Sequence, residues 1–224
     1  MRHTLLIGDY AYSSWSLRGW LMFHRFGLAV QVQMIDFDAG EVADQLAAHA
    51  PARTVPTWLT RDAVAVSDSL AIAEELATRH PDAGHWPRDP AARATARTLA
   101  CEMHAGFAAL RNHCPMNLRT AYAGVPVPDA VRRDLDRIEA IWTHALDRFG
   151  GPWLCGEYSA ADAFFAPVAA RIAGYGLPVG PVARAYVAAH LACPSFRHWR
   201  ALGLIHGATL ARYARDYTVV DWPG

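Results

Sequence analysis

The sequence contains no lysine, so all 21 of its basic residues are arginine. An enzyme that works through a Schiff base needs a lysine amine, and the phosphate-binding loop of the P-loop enzymes ends in Gly-Lys, so both chemistries are excluded. The 21 acidic residues balance the arginines and leave a formal net charge of zero. Because a nucleic-acid-binding protein normally carries a basic excess, the sequence argues against a nucleic-acid partner.

Long apolar runs and paired cysteines are also missing. The longest wholly apolar stretch, 163–170, is far too short to cross a bilayer, and the apolar run near the amino terminus meets Asp9 too early for a signal peptide. The four cysteines are widely separated and form no Cys-x-x-Cys pair. We therefore expect a cytoplasmic protein with no membrane partner, whose cysteines are free thiols.

The first 80 residues alternate between strand-like and helix-like patterns. An apolar run at 3–7 and a two-residue alternation at 30–35 predict two strands, and the helical spacing between them stops at Gly27. The elements predicted next are a short helix at 41–49, strands at 57–59 and 64–66, and a helix at 69–79. The order is therefore β-α-β-α-β-β-α.

The pattern changes at a segment rich in proline. We predict a linker at 81–89 between an amino-terminal domain (1–80) and a carboxy-terminal domain (90–224) in which every element is helical. Asp89 and Pro90 are typical of a helix start, and one apolar ladder continues from there to Cys114. The later helices are predicted at 128–149, 160–173, 182–191 and 195–204. The helix that begins at 160 is apolar nearly all round, which predicts the buried centre of this domain.

Four local motifs lie along this layout. They are Tyr-Ser-Ser-Trp-Ser-Leu-Arg at 12–18, Thr-Val-Pro at 54–56, Ser-Asp-Ser at 67–69, and Gly-x-x-Ser-x-x-Asp at 156–162. Together with the βαβαββα module and the helical second domain, they resemble the cytosolic glutathione S-transferase family over essentially the whole chain. The first motif is similar to that of the serine-dependent, zeta- and theta-like classes. The last is an N-terminal capping box in its aspartate form.

The resemblance implies both a fold and an activity. We expect a thioredoxin-like domain that binds glutathione as co-substrate, followed by the all-helical domain that carries the pocket for an electrophile. The implied activity is that of a glutathione transferase used in detoxification, which conjugates or isomerises a small electrophile or reduces a peroxide. The implied assembly is a homodimer. A non-catalytic ligand carrier or protein-interaction subunit with the same fold is the alternative.

The motif at 12–18 predicts the group that activates the thiol. A thiol has a pKa of about 8.5, and lowering this pKa by about two units requires roughly 2.7 kcal/mol of free-energy preference for the thiolate. A hydroxyl hydrogen bond to the anion supplies about 1.5–3 kcal/mol, and a helix N-terminus about 0.3–1 kcal/mol. By the resemblance we assign this role to Ser13, while Ser14, Tyr10 and Tyr12 remain alternatives. Ser13 is equally well suited to an ordinary helix cap.

The next two motifs predict the tripeptide site. By the resemblance, a cis bond between Val55 and Pro56 turns the Val55 backbone toward the cysteinyl unit, whereas a trans proline opening an edge strand is the ordinary alternative. Asp68 and Ser69 open a helix, so they suit the γ-glutamyl ammonium and carboxylate, or else simply cap that helix. Arg53 stands where the family often has Lys or Gln, and its guanidinium can pair with the carboxylate at the glycine end.

The pocket for the second substrate is predicted less directly. Tyr12, Trp15 and Phe107 are candidate apolar walls, although aromatic residues at helical spacing are more often core. Arg111 suits a polar or acidic second substrate, or else belongs to a solvated helix face. Cys101 and His104 have no second ligand pair at a zinc-like spacing, so we expect no metal.

Overall fold

The computed structural model describes residues 3–223; the outermost residues of the two predicted domains, 1, 2 and 224, lie outside this range. The amino-terminal elements are β1 (Thr4–Ile7), α1 (Ser14–His24), β2 (Gln31–Met34), α2 (Val42–Gln45), β3 (Thr57–Leu59), β4 (Ala65–Ser67) and α3 (Ser69–Arg79). The strand order in the sheet is β2-β1-β3-β4. β2 runs parallel to β1, while β3 and β4 are antiparallel to their neighbours. The predicted thioredoxin-like domain is confirmed.

β1 lies inside this sheet, and its apolar side chains alternate between two faces. Leu5 and Ile7 join the main core cluster, to which α1 and α3 contribute, whereas Leu6 packs with Ile35 and Leu46 in a separate cluster. This division follows from the two-residue period of a strand. The carboxyl end of β1 then leads through a short loop into α1.

The carboxy-terminal half is built mainly of helices. Its elements are α4 (Pro90–Ala105), α5 (Ala108–His113), β5 (Ala121–Ala123), α6 (Asp129–Phe149), α7 (Ala160–Gly174), α8 (Pro181–Ala192), α9 (Pro194–Ile205) and β6 (Thr218–Val220). α7 is buried along nearly its whole length and packs against α1, α4 and α8. It begins with the predicted capping box between Ser159 and Asp162. The predicted fold class is therefore confirmed.

The prediction of a single helix from Pro90 to Cys114 is wrong, because two helices, α4 and α5, occupy this stretch. α4 ends at Ala105, because Gly106 has extended backbone and Phe107 adopts a left-handed conformation with φ +57°. A Cβ atom at Gly106 would lie 2.7 Å from the carbonyl oxygen of Glu102, so only glycine fits there. The apolar ladder continues across this break, and for that reason the sequence pattern did not reveal it.

A small sheet also interrupts the helices of the second domain. β5 pairs antiparallel with β6, so that Tyr122 lies opposite Val219. The sequence analysis predicted neither strand, because three residues are too few to establish a two-residue alternation. The pairing brings the end of the described chain back onto the segment after α5.

The loop between β1 and α1 is held by both domains. Within the loop, the Ser13 amide donates to the Asp9 carbonyl at 2.8 Å, and the Ala11 amide donates to the Asp9 carboxylate at 2.7 Å. From the second domain, the Trp199 indole donates to the Tyr10 carbonyl at 2.7 Å, and the Leu118 amide donates to the Ala11 carbonyl at 3.0 Å. The amino end of α1 is therefore fixed in position between the domains.

Candidate functional site

A cleft of about 380 Å³ opens at the amino end of α1. Its walls come from the loop before α1, the segment before β3, the region around α5, α7 and the carboxy-terminal segment. The lining residues are Tyr12, Ser13, Ser14, Trp15, Phe37, Val42, Arg53, Thr54, Val55, Arg111, Asn112, Pro115, Met116, Arg171 and Tyr213. The cleft therefore gathers seven of the candidate residues named from the sequence: Tyr12, Ser13, Ser14, Trp15, Arg53, Val55 and Arg111.

Ser13 is the N-cap of α1. Its hydroxyl donates to the Ser16 Oγ at 2.7 Å and accepts from the Ser16 amide at 3.4 Å. Ser16 Oγ also accepts from the Gly8 amide at 2.9 Å, so these groups form a small buried network at the end of β1. Ser13 thus lines the cleft and also serves as the helix cap that was its alternative role. Its catalytic role stays a prediction.

Ser14 is the first residue of α1, and its surroundings differ from those of Ser13. Its Oγ accepts from Nη2 of Arg171, an interaction of 3.4 Å. Arg171 is buried in α7, where its other nitrogens donate to the Cys114 carbonyl at 2.8 Å and the Pro167 carbonyl at 3.1 Å. A guanidinium from the second domain therefore lies against a hydroxyl of the first.

Two further guanidinium groups lie near Arg171. Arg18 and Arg111 lie over the ring of Trp15, 4.5 and 4.9 Å from its centroid, and two nitrogens of the buried Arg18 have no hydrogen-bond partner among the described residues. Burial, with the neighbouring arginine charges, lowers the pKa of Arg18 to about 9 and that of Arg171 to about 10. Within residues 3–223 no carboxylate forms an ion pair with any of these three arginines. Two of these cations, Arg111 and Arg171, therefore line the cleft, and the third, Arg18, is buried behind it.

The segment before β3 forms the opposite wall. The bond between Val55 and Pro56 is cis, as predicted. Pro56 itself is buried behind the cleft against α1, where a Cβ atom at Gly19 would lie 2.7 Å from the proline ring. Val55 and the exposed Arg53 face the cleft, and their predicted contacts to the tripeptide stay predictions.

Asp68 and Ser69 lie at the amino end of α3, outside the cleft lining. The Asp68 carboxylate accepts from the Leu70 amide at 2.8 Å and from Nε2 of His104 at 3.1 Å. The Ser69 hydroxyl is fully buried and has no hydrogen-bond partner among the described residues. Backbone amides at a helix start bind anions, so this end of α3 is suited to a carboxylate.

Two predicted aromatic residues have other surroundings. Phe107 is buried at the start of α5 and does not line the cleft. Tyr10 packs edge-on against Trp199, with ring centroids 4.5 Å apart, and is also outside the lining. Tyr12 does line the cleft, and its hydroxyl accepts from the Leu210 amide at 3.3 Å.

Arg171 and Tyr213 are cleft residues that the sequence analysis did not identify. Arg171 had a signal, because it is a charged residue in a segment otherwise apolar nearly all round, and a buried charge needs a specific reason. No feature of the sequence marked Tyr213, because it lines the cleft only as a result of the path that the carboxy-terminal segment takes. It stacks obliquely on Tyr12, with centroids 4.7 Å apart.

Between residues 3 and 223, no group of three or more His, Cys, Asp or Glu side chains is placed to hold a metal ion. In the same range, no helix has both the length and the apolar character needed to span a bilayer.

Comparison with known proteins agrees with this architecture. Residues 12–79 match the family model described as "Glutathione S-transferase, N-terminal domain". An alignment of 82 residues with a probable maleylacetoacetate isomerase of Caenorhabditis elegans is 34% identical. It covers 37% of this chain and 38% of that protein. The chain thus aligns with little more than a third of the length of this curated relative.

Solved structures extend the similarity to nearly the whole chain. A glutathione transferase homologue from Burkholderia GL BGR1, with bound glutathione, is 23% identical with a TM-score of 0.69, covering 92% of this chain and all of that one. A glutathione transferase from Methylococcus capsulatus strain Bath is 20% identical with a TM-score of 0.68, covering 91% and 100%. Residues 12–79 therefore match the amino-terminal domain of the glutathione S-transferase family, and the chain as a whole shares the fold of these solved structures. Its assignment to a serine-dependent class stays a prediction.

Proposed function

We propose that this chain is a glutathione transferase in which a serine hydroxyl at the amino end of α1 stabilises the glutathione thiolate for attack on a small electrophile. The observation that carries the proposal is the cleft itself. It joins the start of α1, with two serines, to Val55 and Arg53 in a domain that matches the glutathione S-transferase family.

The surroundings of the cleft favour a thiolate. A hydroxyl hydrogen bond and a helix N-terminus together supply roughly 2–4 kcal/mol of preference for an anion. Arg111 and Arg171 add positive charge beside the serines without a carboxylate to neutralise it among the described residues. A serine hydroxyl forms no mixed disulfide, so the glutathione sulfur stays free to attack an electrophile. Conjugation, isomerisation and peroxide reduction are all compatible with such a thiolate.

The same arginines favour an acidic second substrate. Arg111 is half-buried and lines the cleft, and burial lowers the pKa of its guanidinium, so an anionic ligand would relieve an unfavourable environment. The C. elegans relative is named as a probable isomerase of maleylacetoacetate. We therefore include isomerisation of a carboxylate-bearing electrophile among the proposed reactions.

The first test is calorimetric titration with glutathione, followed by turnover assays with a chloronitroarene and an organic hydroperoxide. Binding with turnover of either compound supports the proposal. Binding without turnover of any electrophile favours the ligand-carrier alternative, and the absence of glutathione binding rejects the proposal.

The preference for an acidic substrate has a separate test. A chloronitrobenzoate and the matching benzamide differ only in the charge of one substituent. Arg111→Gln should lower kcat/KM about tenfold for the benzoate, which is about 1.4 kcal/mol, and change it little for the benzamide. Arg137→Gln is the control, because Arg137 pairs with Glu102 on the outer surface. Equal losses on the two substrates would contradict the assignment.

The homodimer and the cytoplasmic location expected from the sequence remain proposals. Light scattering of the purified protein tests the first, and a mass of one chain would reject it. Fractionation of cells that produce the protein tests the second.

A further inference from the structure

We propose that Ser14, rather than Ser13, donates the hydrogen bond that holds the glutathione sulfur as a thiolate, and that Arg171 is the residue that orients the Ser14 hydroxyl. The inference rests on the proposed function, and it names the donor within that site. Because Arg171 belongs to α7, a helix of the second domain would then help to activate a thiol that the first domain binds.

The Ser13 hydroxyl already has an acceptor. Its proton is directed to Ser16 Oγ at 2.7 Å, the shortest contact of the network at the start of α1. The same oxygen caps the helix by accepting from the Ser16 amide. A hydroxyl has one proton, so Ser13 would have to give up the bond to Ser16 before it could donate to a sulfur.

The Ser14 hydroxyl has the complementary arrangement. It accepts from Arg171 Nη2, and its own proton has no acceptor among the described residues, although the side chain lines the cleft. A hydroxyl that accepts from one group keeps its proton for another, and hydrogen bonds in series polarise one another. Donation from Arg171 therefore makes Ser14 a stronger donor to an anion in the cleft.

Arg171 is held in the orientation this role requires. Two backbone carbonyls, those of Cys114 and Pro167, fix its Nε and Nη1 and leave Nη2 for Ser14. Arg171 as a whole residue is 4% exposed, and within residues 3–223 no carboxylate pairs with it. Its charged neighbours, Arg111 from α5 and Arg18 from α1, have the same sign. Burial and the charge of Arg111 lower the pKa of Arg171, while the titratable side chains of Tyr175, Cys114 and Tyr213 act in the opposite direction. With a pKa of about 10 it is still protonated at neutral pH.

The two serines also differ in what their removal does to the fold. Ser14 is the first residue of α1 and makes no cap hydrogen bond, so alanine there leaves the start of the helix intact and removes only the partner of Arg171 Nη2. Ser13 is the cap, so its replacement by alanine weakens α1. Comparing Ser13→Ala with Ser14→Ala therefore separates a loss of protein stability from a loss of thiolate stabilisation.

The experiment measures the pKa of the glutathione thiol in the binary complex, from the ultraviolet absorbance of the thiolate as a function of pH. Calorimetry first establishes that each variant binds glutathione. We expect Ser14→Ala to raise this pKa by about one to two units and to move the acid limb of the pH–rate profile upward by the same amount, with a lower kcat and little change in KM for glutathione. We expect a smaller pKa change and a lower melting temperature for Ser13→Ala.

Arg171 is tested by two uncharged variants, Arg171→Gln and Arg171→Met. The methionine has a similar volume and no polar atoms to bury, so it keeps the site folded if glutamine does not. Either variant should raise the thiol pKa, whereas Arg137→Gln, the surface control, should not. When Ser14 is already alanine, the Arg171 change should have a clearly smaller effect.

Specific results would overturn the inference. A pKa shift in Ser13→Ala as large as that in Ser14→Ala would return the role to Ser13. An unchanged pKa in a folded Arg171 variant would remove Arg171 from the mechanism. If the wild-type protein does not bind glutathione, the proposed function fails; if it binds and only the pattern of shifts is wrong, the inference alone fails.

Discussion

His190 illustrates how burial fixes the protonation state of a single residue. It is 1% exposed on α8, its ring packs edge-on against Trp153 and Tyr186, and its Nε2 has no hydrogen-bond partner among the described residues. Burial lowers the pKa of His190 to about 3. The folded protein therefore keeps this imidazole neutral at a pH where the unfolded chain protonates it.

This difference predicts a loss of stability in acid. Above the unfolded pKa of about 6.5 the residue is neutral in both states, and its contribution to stability is fully present. As the pH falls from there toward 3, only the unfolded chain gains the proton, so stability decreases by up to about 1.4 kcal/mol per pH unit. His190→Leu should remove this slope. Denaturant unfolding between pH 7 and pH 5 measures it, with the exposed His144→Leu as control, and a slope unchanged by His190→Leu would contradict the prediction.

At the scale of elements, the buried start of α7 depends on one carboxylate. Asp162 accepts from the Leu154 amide at 3.0 Å, the Ser159 amide at 2.9 Å, and the Tyr186 hydroxyl at 2.8 Å. It thereby connects the loop before α7, the helix cap and α8. Hydrogen bonds to a charged group are worth more than neutral ones, and a buried donor without its acceptor is costly.

We expect Asp162→Ala to lower the free energy of unfolding by about 3–5 kcal/mol, because it leaves several buried donors without an acceptor. Asp129→Ala is the matched control, since Asp129 is exposed at the start of α6 and should cost less than about 1 kcal/mol. Chemical denaturation of both variants measures the difference. A loss of less than about 1 kcal/mol in Asp162→Ala would contradict the central role of this cap.

The elements that could be predicted are those with strong local signals. α7 has a capping box and a long apolar run, and α4 begins at Asp89 and Pro90 as expected. The break at Gly106 and the strands β5 and β6 could not be predicted in the same way. A helix break within a continuous apolar ladder, or a three-residue strand, is determined by contacts with distant segments rather than by its own sequence.

The same limit applies to the candidate site. Ser13, Trp15 and Val55 lie in short motifs with typical spacing, and all three line the cleft. Arg171 and Tyr213 come from segments more than 100 residues away in the chain, so no local pattern could place them there. The sequence therefore predicted the part of the lining that the first domain supplies, together with Arg111, and the structure adds Arg171 and Tyr213 from the second domain.

At the scale of the whole molecule, the carboxy-terminal segment connects the two domains across the cleft. Arg119 donates to the carbonyls of His206, 2.8 Å, and Gly207, 3.0 Å. Further along, Arg212 forms an ion pair with Asp38 at 2.7 Å, next to Tyr213 in the cleft wall. The position of this segment therefore determines one side of the cleft.

Gly207 is the position at which this segment can be tested. It has φ +81°, and a Cβ atom there would lie only 2.0 Å from the Asp9 carboxylate, in the loop that enters α1. Gly124 has a similar φ of +70° but open space around it. Alanine at Gly124 should cost only the backbone strain, about 1–2 kcal/mol. Gly207→Ala should cost clearly more, because either the segment must move away from Asp9 or the Asp9 carboxylate must give up its 2.7 Å hydrogen bond from the Ala11 amide. If the segment moves, residues after 207 should become more sensitive to limited proteolysis. Denaturant unfolding and proteolysis of the two variants measure both effects, and equal losses would show that the contact with Asp9 does not hold the segment in place.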